Sequence, residues 1–198
     1  MKFAEYRYLV LSDLYRITGS TKTRSLLRHI FFGQGFKYNF WMRTCAYARS
    51  GSIKTILLFP AARLMLRRYT YKFGISVPHW TKIGSGFFIG HPGGIVVNHL
   101  STIGKNCNIS QGVTLGQANR GKNTGYPTLG DNVYIGPGAK IVGAVKIGND
   151  VAIGANCVVT HDIPDHAVVV GVPGKVISWA GTAGYMDRTD YDGMIRRP

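Results

Sequence analysis

Residues 129–160 read LGDNVYIGPGAKIVGAVKIGNDVAIGANCVVT, and an aliphatic side chain returns at every sixth position of this stretch. These positions are Leu129, Ile135, Ile141, Ile147, Ile153 and Val159. With two interruptions, the same register extends back through Ile83, Ile89, Ile95, Ile103, Ile109 and Leu115. An α-helix, with about 3.6 residues per turn, would spread such positions around its circumference. The repeat is typical of a parallel β-helix.

Each six-residue unit supplies one short strand and one corner of a three-sided prism. Its aliphatic side chain points inward, and Gly or Asn at the corner adopts backbone angles that other residues avoid. A second small or branched residue follows four positions later, at Gly93, Cys107, Val113, Val133, Ala139, Val145, Val151 and Cys157. Stacked coils would bury both sets in one core. We therefore predict a mainly β protein with a parallel β-helix of about five coils.

The repeat is interrupted twice. Eight residues separate Ile95 from Ile103, and 14 residues separate Leu115 from Leu129. The second interval exceeds one unit by eight residues, which lie within residues 117–128. We expect this surplus to protrude from the prism as a loop, and loops on a rigid scaffold often carry function.

The cysteines indicate a reducing compartment. Cys45, Cys107 and Cys157 are odd in number, and two of them occupy small inward positions, so we expect buried thiols rather than disulfides. The N-terminus lacks the design of a signal peptide, and no uncharged run approaches the roughly 20 residues of a membrane span. We expect a cytoplasmic protein.

Because no CxxC motif or zinc-ligand spacing is present, we expect no metal site.

The net charge of +15 is concentrated in residues 1–75, which hold 14 lysines and arginines against Glu5 and Asp13. Apolar residues at helical spacing predict helices there. The basic, amphipathic segment 53–73 has three interpretations. It packs on the prism or a partner subunit, or it lies on the anionic inner leaflet of the membrane. There each Lys or Arg near the surface adds about 1 kcal/mol of electrostatic attraction. Nucleic acid binding is disfavoured because no recognition motif accompanies the charge.

Four segments of the chain carry specific motifs. They are KIG at residues 82–84, GHPGGIVV at 90–97, QGVTLG at 111–116 and GVPGKVI at 171–177. Together they resemble the hexapeptide-repeat acyltransferases, in particular the serine acetyltransferase-like and polysaccharide O-acetyltransferase branch, over about residues 74–178. The resemblance implies a left-handed parallel β-helix, a homotrimer, and acetyl-CoA bound in the groove between neighbouring prisms.

The histidine that falls on the catalytic base of this family is His91. Acetyl transfer to a hydroxyl needs a base because an alcohol is a poor nucleophile until its proton is being removed. Imidazole has a suitable pKa, and a positioned base contributes roughly 10²- to 10⁴-fold. Which group orients His91 does not follow from the sequence.

The acceptor positions depart from the serine-specific branch. Where that branch places an acidic residue upstream of its base, an acidic residue just before it and an Arg-His pair in the extended loop, this chain has Ser76, Gly90, and Gly125 with Tyr126. Because these charged anchors are missing, the sequence favours a neutral acceptor. We predict that Tyr126 and Asn98 bind a sugar ring.

The acetyl-CoA contacts implied by the resemblance are better preserved. Family members hold the pantetheine arm by backbone groups at the corners and the nucleotide by side chains after the last coil. The corresponding residues here are Gly136, Gly138, Gly154, Ala155, Thr160 and Lys175. Pro137 has no N–H, so one corner contact seen in relatives is expected to be missing.

The predicted organisation is a helical basic region over residues 1–75, a β-helix acetyltransferase domain over 76–178 and a tail over 179–198. The tail is either mobile or wraps the cleft of a neighbouring subunit. The predicted function is acetyl-CoA-dependent O-acetylation of a sugar hydroxyl of a surface polysaccharide or its lipid-linked precursor, at the inner face of the membrane. The alternatives are a serine O-acetyltransferase of cysteine biosynthesis and a non-catalytic trimeric scaffold.

Overall fold

A computed structural model of the protein describes residues 1–49 and 53–195. The chain begins with four helices, α1 (Phe3–Thr18), α2 (Thr23–Phe32), α3 (Gln34–Ala48) and α4 (Ile53–Phe73). Short strands follow in chain order: β1 (Ile75–Ser76), β2 (Lys82–Ile83), β3 (Phe88–Ile89), β4 (Ile95–Val97), β5 (Thr102–Ile103), β6 (Asn108–Ile109), β7 (Thr114–Gly116), β8 (Thr128–Leu129), β9 (Tyr134–Ile135), β10 (Lys140–Val142), β11 (Lys146–Ile147), β12 (Ala152–Ile153), β13 (Val158–Val159), β14 (Val168–Val170) and β15 (Lys175–Ser178). A 3₁₀ turn covers Tyr191–Gly193.

The strands form three parallel sheets, one for each side of the prism. Sheet A is ordered β1-β4-β7-β10-β13, sheet B is β2-β5-β8-β11, and sheet C is β3-β6-β9-β12-β14, closed by the antiparallel β15. Three successive strands complete one coil, so the described strands make four full coils and a fifth whose sheet B side is the isolated bridge between Ile147 and Ile163. The predicted left-handed parallel β-helix, preceded by helices, is confirmed.

The six-residue register fills the core as predicted. Eleven of the twelve aliphatic positions are buried, and Ile83 in the first coil is half-buried. The second inward positions are also buried, except Gly93, which lies in the corner between β3 and β4 with φ 114°. Gly93 is half-buried and does not belong to the core, because this corner is two residues longer than the regular one.

Two extra residues in the corner that holds His91 explain the first interruption. Ile95 pairs with Ile75 of the coil before it, whereas Val97 pairs with Leu115 of the coil after it. Both Ile95 and Val97 are buried. The interruption therefore adds two residues next to the corner that holds His91, and the spacing from Val97 to Ile103 is the regular six.

The corner between sheets B and C carries a polar ladder in the left-handed backbone region. Asn106, Asn132, Asp150 and His166 have φ between 55° and 62°. The Asn106 Nδ2 donates to Asn132 Oδ1 at 2.9 Å, and Asn132 Nδ2 donates to Asp150 Oδ1 at 3.0 Å. Asn and Asp tolerate this conformation better than other side chains. The ladder thus fixes one edge of the prism.

The C-terminal tail runs back along this edge of its own chain. The Gly181 N–H donates to the His166 carbonyl at 3.0 Å, and the Tyr191 hydroxyl donates to Asn106 Oδ1 at 2.8 Å. Tyr191 is 2% exposed and packs in a cluster with Leu14 and Phe36 of the helices. The tail up to residue 195 therefore covers the corner between sheets B and C.

Candidate active site

His91 projects from the corner between sheets C and A, at the end of the first coil. Its side chain is exposed, and the flanking backbone is fixed by Gly90 N–H to the Ile109 carbonyl (3.0 Å) and Gly112 N–H to the Gly93 carbonyl (2.7 Å). Within residues 1–49 and 53–195, no side chain hydrogen-bonds to the His91 ring. The ring is thus exposed on a corner whose backbone is held by the next coil.

The predicted cofactor residues Gly136, Gly138, Gly154 and Ala155 lie on the same corner, two and three coils below His91. Strand spacing of about 4.8 Å per coil puts Ala155 roughly 14 Å from the level of His91. The structure therefore brings these four residues and His91 onto one edge of the prism. This edge forms a straight track along which a long, thin ligand can lie.

Most backbone donors on this track are already used by the stacked coils. Gly136 N–H donates to the Ile153 carbonyl (2.7 Å), Gly138 N–H to Gln111 (2.8 Å) and Gly154 N–H to Val169 (2.8 Å). Among the residues that the structure describes, the Ala155 N–H donates to none. Ala155 is exposed, so it is the one of the four predicted residues that offers a ligand a free backbone donor.

Steric crowding between coils explains why glycine occupies positions on the track. A Cβ on Gly138 would lie 2.0 Å from Asn156 Oδ1, and Gly138 has φ 75°. A Cβ on Gly136 would lie 2.8 Å from the Ala155 nitrogen. Close coil stacking therefore requires glycine at both positions even before any ligand binds.

The two predicted nucleotide contacts fall on different edges. Lys175 is exposed and follows the turn 171–174, where Gly174 N–H bonds to the Val158 carbonyl below the His91 track. Thr160 follows β13 at the corner between sheets A and B, and its carbonyl accepts from Asn123 Nδ2 at 2.8 Å. Lys175 thus shares an edge with His91 in one chain, and Thr160 does not.

The predicted loop protrudes at the corner between sheets A and B. It closes as a small hairpin, with Ala118 and Gly125 exchanging backbone hydrogen bonds of 3.1 and 3.0 Å. The Ala144 N–H donates to the Asn123 carbonyl at 2.9 Å and ties the hairpin to the fourth coil. These hydrogen bonds hold the protruding loop against its own prism.

The predicted substrate residues Tyr126 and Asn98 belong to this loop corner. Tyr126 is half-buried, and Asn98 Oδ1 accepts from the Leu100 N–H at 3.0 Å, which stabilises its own turn. Sheet A separates them from His91 within one chain. A site that contains His91 together with Tyr126 must therefore be built from two chains.

The sequence reasoning missed a cavity of about 560 Å³ between α4 and the first coil. We call it the α4 pocket. Charged and aromatic side chains line it, including Arg63, Arg67, Tyr71, His79 and Trp80. Ser76, on the outer face of sheet A, also contributes to its wall. The signal in the sequence was the pair of arginines four residues apart, which place both charges on one helix face.

Comparison with known proteins identifies the fold and its relatives. Residues 126–161 match the family model described as bacterial transferase hexapeptide (six repeats). A serine acetyltransferase of Staphylococcus epidermidis is 42% identical over 123 residues, which cover 62% of this chain and 58% of the relative. The resemblance to the hexapeptide-repeat acyltransferases is confirmed. The match thus spans less than two thirds of that relative's length.

Solved structures agree with this result. The serine acetyltransferase of Neisseria gonorrhoeae in complex with serine has a TM-score of 0.72 and 28% identity, covering 89% of this chain and 70% of that one. The serine acetyltransferase of Brucella abortus in complex with coenzyme A has a TM-score of 0.67 and 25% identity, covering 88% and 66%. The similarity includes the helical region, since it extends well beyond the β-helix.

The predicted glycan acceptor is wrong, because these relatives are serine acetyltransferases. The prediction rested on the absence of charges at Ser76, Gly90, Gly125 and Tyr126. That reasoning examined only positions aligned with the family. It could not anticipate that α4 brings Arg63 and Arg67 against the sheet face beside Ser76.

Three further features bear on the predicted chemistry and location. Within the described ranges, no cluster of three or more His, Cys, Asp or Glu side chains is placed to hold a metal ion. Cys45, Cys107 and Cys157 are buried free thiols, and burial raises the pKa of Cys107 to about 12. None of the described helices is long and apolar enough to cross a membrane.

Proposed function

We propose that this protein is an acetyl-CoA-dependent O-acetyltransferase and that its acceptor is the hydroxyl of L-serine. The observation that carries the proposal is its similarity to serine acetyltransferases in both sequence and structure. The exposed His91, mounted on a rigid corner at the head of a backbone track, supports it independently.

In the proposed reaction His91 accepts the proton of the acceptor hydroxyl as its oxygen attacks the thioester carbonyl. The new C–O bond forms, and the resulting tetrahedral intermediate collapses with cleavage of the C–S bond. The imidazolium then returns its proton to the departing CoA sulfur. Atoms and protons balance, and the products are the O-acetyl ester and free CoA.

The CoA arm is proposed to lie along the track below His91. The free Ala155 N–H would donate to an amide carbonyl of the arm, since the neighbouring glycine donors are used by the coils. Exposed Lys175, at the far end of the same edge, would bind a phosphate group through its ammonium.

A homotrimer is proposed because the two halves of the proposed site lie on opposite edges of a single chain. His91 lies at one edge of sheet A, and the loop with Tyr126 lies at the other. Neighbouring prisms packed around a three-fold axis would bring the His91 edge of one chain against the loop edge of the next. Thr160, which shares the loop edge, would then reach the CoA of the adjacent subunit.

The deciding experiment measures free thiol released from acetyl-CoA in the presence of L-serine. Release that depends on serine, with O-acetylserine found by mass spectrometry, is the expected result. Absence of serine-dependent release by a folded protein that binds CoA would contradict the serine acceptor. The scaffold alternative predicts no thioester turnover with any acceptor, so other hydroxyl acceptors and CoA affinity are measured in parallel.

We also propose that the protein works in the cytoplasm, where part of it associates with the inner face of the membrane. Helix α2 exposes Leu27, Phe31 and Phe32, with Phe32 81% exposed. Arg24 and Arg28 of the same helix are exposed as well, and no acidic residue lies in its first turn. Apolar side chains beside uncompensated cations suit an anionic lipid surface.

A further inference from the structure

The α4 pocket has a functional group that lacks a partner. His79 is only 5% exposed, and its Nε2 atom has no hydrogen-bond partner among the described residues. Its ring packs edge-on against Phe59 and Trp80, at centroid distances of 5.7 and 4.6 Å. Buried polar atoms are nearly always paired, so an unpaired ring nitrogen in a cavity wall indicates a place for a ligand.

The charge around this nitrogen selects the kind of ligand. Arg63 and Arg67 line the pocket from one face of α4, and no acidic side chain is among the described residues that line it. The Arg49 guanidinium lies 5.7 Å from the Trp80 ring centroid and adds a third positive charge. Burial and the nearby Arg63 and Arg49 lower the pKa of His79 to about 4, so its ring is neutral at pH 7.

The pocket is close to the reacting group. Ser76 lines it from β1, and its register partner is Val96 in β4. A Cβ on Gly74 would lie 3.2 Å from the Gly94 nitrogen, so the start of β1 touches the corner that holds His91. Two residues of extended chain, roughly 7 Å, separate Gly74 from Ser76. The pocket wall formed by Ser76 therefore lies beside the corner that holds His91.

We propose that the α4 pocket binds the carboxylate of the acceptor, with Arg63 and Arg67 as its cations and the His79 Nε2–H as a neutral donor. Guanidinium groups match carboxylates in charge and geometry, and a neutral imidazole adds direction. The inference rests on the proposed acetyl transfer. It supplies the charged anchor that the loop lacks where Gly125 and Tyr126 stand.

Binding is tested first, without acetyl-CoA, on the full-length protein. Ligand-observed NMR compares L-serine with L-serinamide, which lacks the carboxylate, and with 3-hydroxypropanoate, which lacks the ammonium. We expect serine and 3-hydroxypropanoate to bind roughly 10- to 100-fold more tightly than serinamide. The double variant Arg63→Gln/Arg67→Gln should lose this preference, while the affinity for serinamide stays within about twofold.

A matched control comes from the same helix. Arg68 is exposed on α4 but does not line the pocket, so Arg68→Gln should keep the preference for a carboxylate. Arg120 is an exposed cation near the tip of the loop, and Arg120→Gln tests whether the carboxylate binds at the loop and not in the α4 pocket. Loss of the preference in Arg120→Gln with retention in the Arg63/Arg67 variant would overturn the proposal. Thermal melts confirm that the exposed substitutions leave each variant folded.

Turnover separates this inference from the proposed function. The ratio of kcat/KM for serine to that for serinamide should fall roughly 10- to 100-fold in the Arg63/Arg67 variant. Serine turnover with an unchanged ratio would leave the acetyltransferase intact and refute the pocket. Carboxylate binding that depends on Arg63 and Arg67, without serine turnover, would support the pocket and reject serine as the acceptor.

Discussion

The Arg43 guanidinium and the Asp13 carboxylate form a buried pair that joins the helices to the β-helix. Arg43 Nε lies 3.0 Å from Asp13 Oδ2, and both side chains are at most 6% exposed. Arg43 also donates to the carbonyls of Ile83 (2.8 Å) and Gly84 (2.6 Å), and Asp13 accepts from the Phe87 N–H (2.8 Å). Burial raises the pKa of Asp13, against the opposing effect of Arg43.

Arg43→Met should therefore destabilise the protein by about 3–5 kcal/mol, because it leaves a buried carboxylate without its cation. Chemical denaturation measures the change in the free energy of unfolding. The control is Arg68→Met, an exposed arginine of the next helix, which should change stability by less than about 0.5 kcal/mol. Equal effects of the two substitutions would show that the buried pair does not hold the two parts together.

His91→Ala should lower kcat by roughly 10²- to 10⁴-fold and leave the affinity for CoA nearly unchanged. The physical reason is loss of the proposed base from a corner whose backbone is held by the next coil. His166→Asn, at an exposed histidine on the corner between sheets B and C, is the control and should retain activity, since Asn tolerates the left-handed φ of 62° at this position. A His91→Ala enzyme with more than about a third of the wild-type rate would place the base elsewhere.

Lys175→Ala should raise the KM for acetyl-CoA roughly 10-fold with little change in kcat, because it removes a contact to a phosphate far from the reacting atoms. Lys146→Ala removes an equally exposed lysine from sheet B, which does not border the track, and should leave the KM unchanged. If both variants behave alike, the nucleotide does not bind at the end of the His91 track.

The sequence was most informative where structure repeats at short range. The inward positions from Ile103 to Val159 follow from a period of six, because each coil packs only on its neighbours. The two-residue insertion before Ile95 could be noticed as an interruption but not placed, since Ile95 and Val97 are both apolar and only strand pairing shows that Val97 is the residue aligned with Leu115.

The site was only partly predictable for a related reason. His91 and the track residues share one corner, so the repeat alone aligns them. The α4 pocket joins Arg63 to His79 across a helix end and the first coil, a relationship that no local pattern encodes. The tail, which the sequence left open, packs through Tyr191 on helices far from it in the chain.

The low pKa of His79 makes stability depend on pH. Its folded-state pKa of about 4 lies below the unfolded value of about 6.5, so the unfolded chain takes up the proton first as the pH falls. The stability that neutral His79 contributes is therefore fully present above about pH 6.5 and is lost as the pH falls towards 4. Arg63 and Arg49 lie near the ring, and their positive charges oppose its protonation.

His79→Gln cannot titrate, so it isolates this effect from the carboxylates that both proteins share. Between pH 7 and pH 5 the wild type should lose about 1–2 kcal/mol more stability than His79→Gln in denaturant titrations. Saturating 3-hydroxypropanoate should reduce the loss in the wild type, since a bound anion favours the imidazolium. Parallel pH profiles of the two proteins would show that His79 is not kept neutral by its surroundings.

The exposed face of α2 should bind anionic membranes. The protein should co-sediment with vesicles that contain phosphatidylserine, and binding should weaken between 50 mM and 500 mM salt, because screening removes the attraction between lipid charges and Arg24 and Arg28. The double variant Phe31→Ser/Phe32→Ser should reduce binding roughly 10-fold, because it removes the apolar side chains that would enter the headgroup region. Trp179→Ser changes an exposed aromatic residue beyond the last coil and serves as the control. Equal binding to neutral and anionic vesicles, or none to either, would leave the cations of α2 without a role at a membrane.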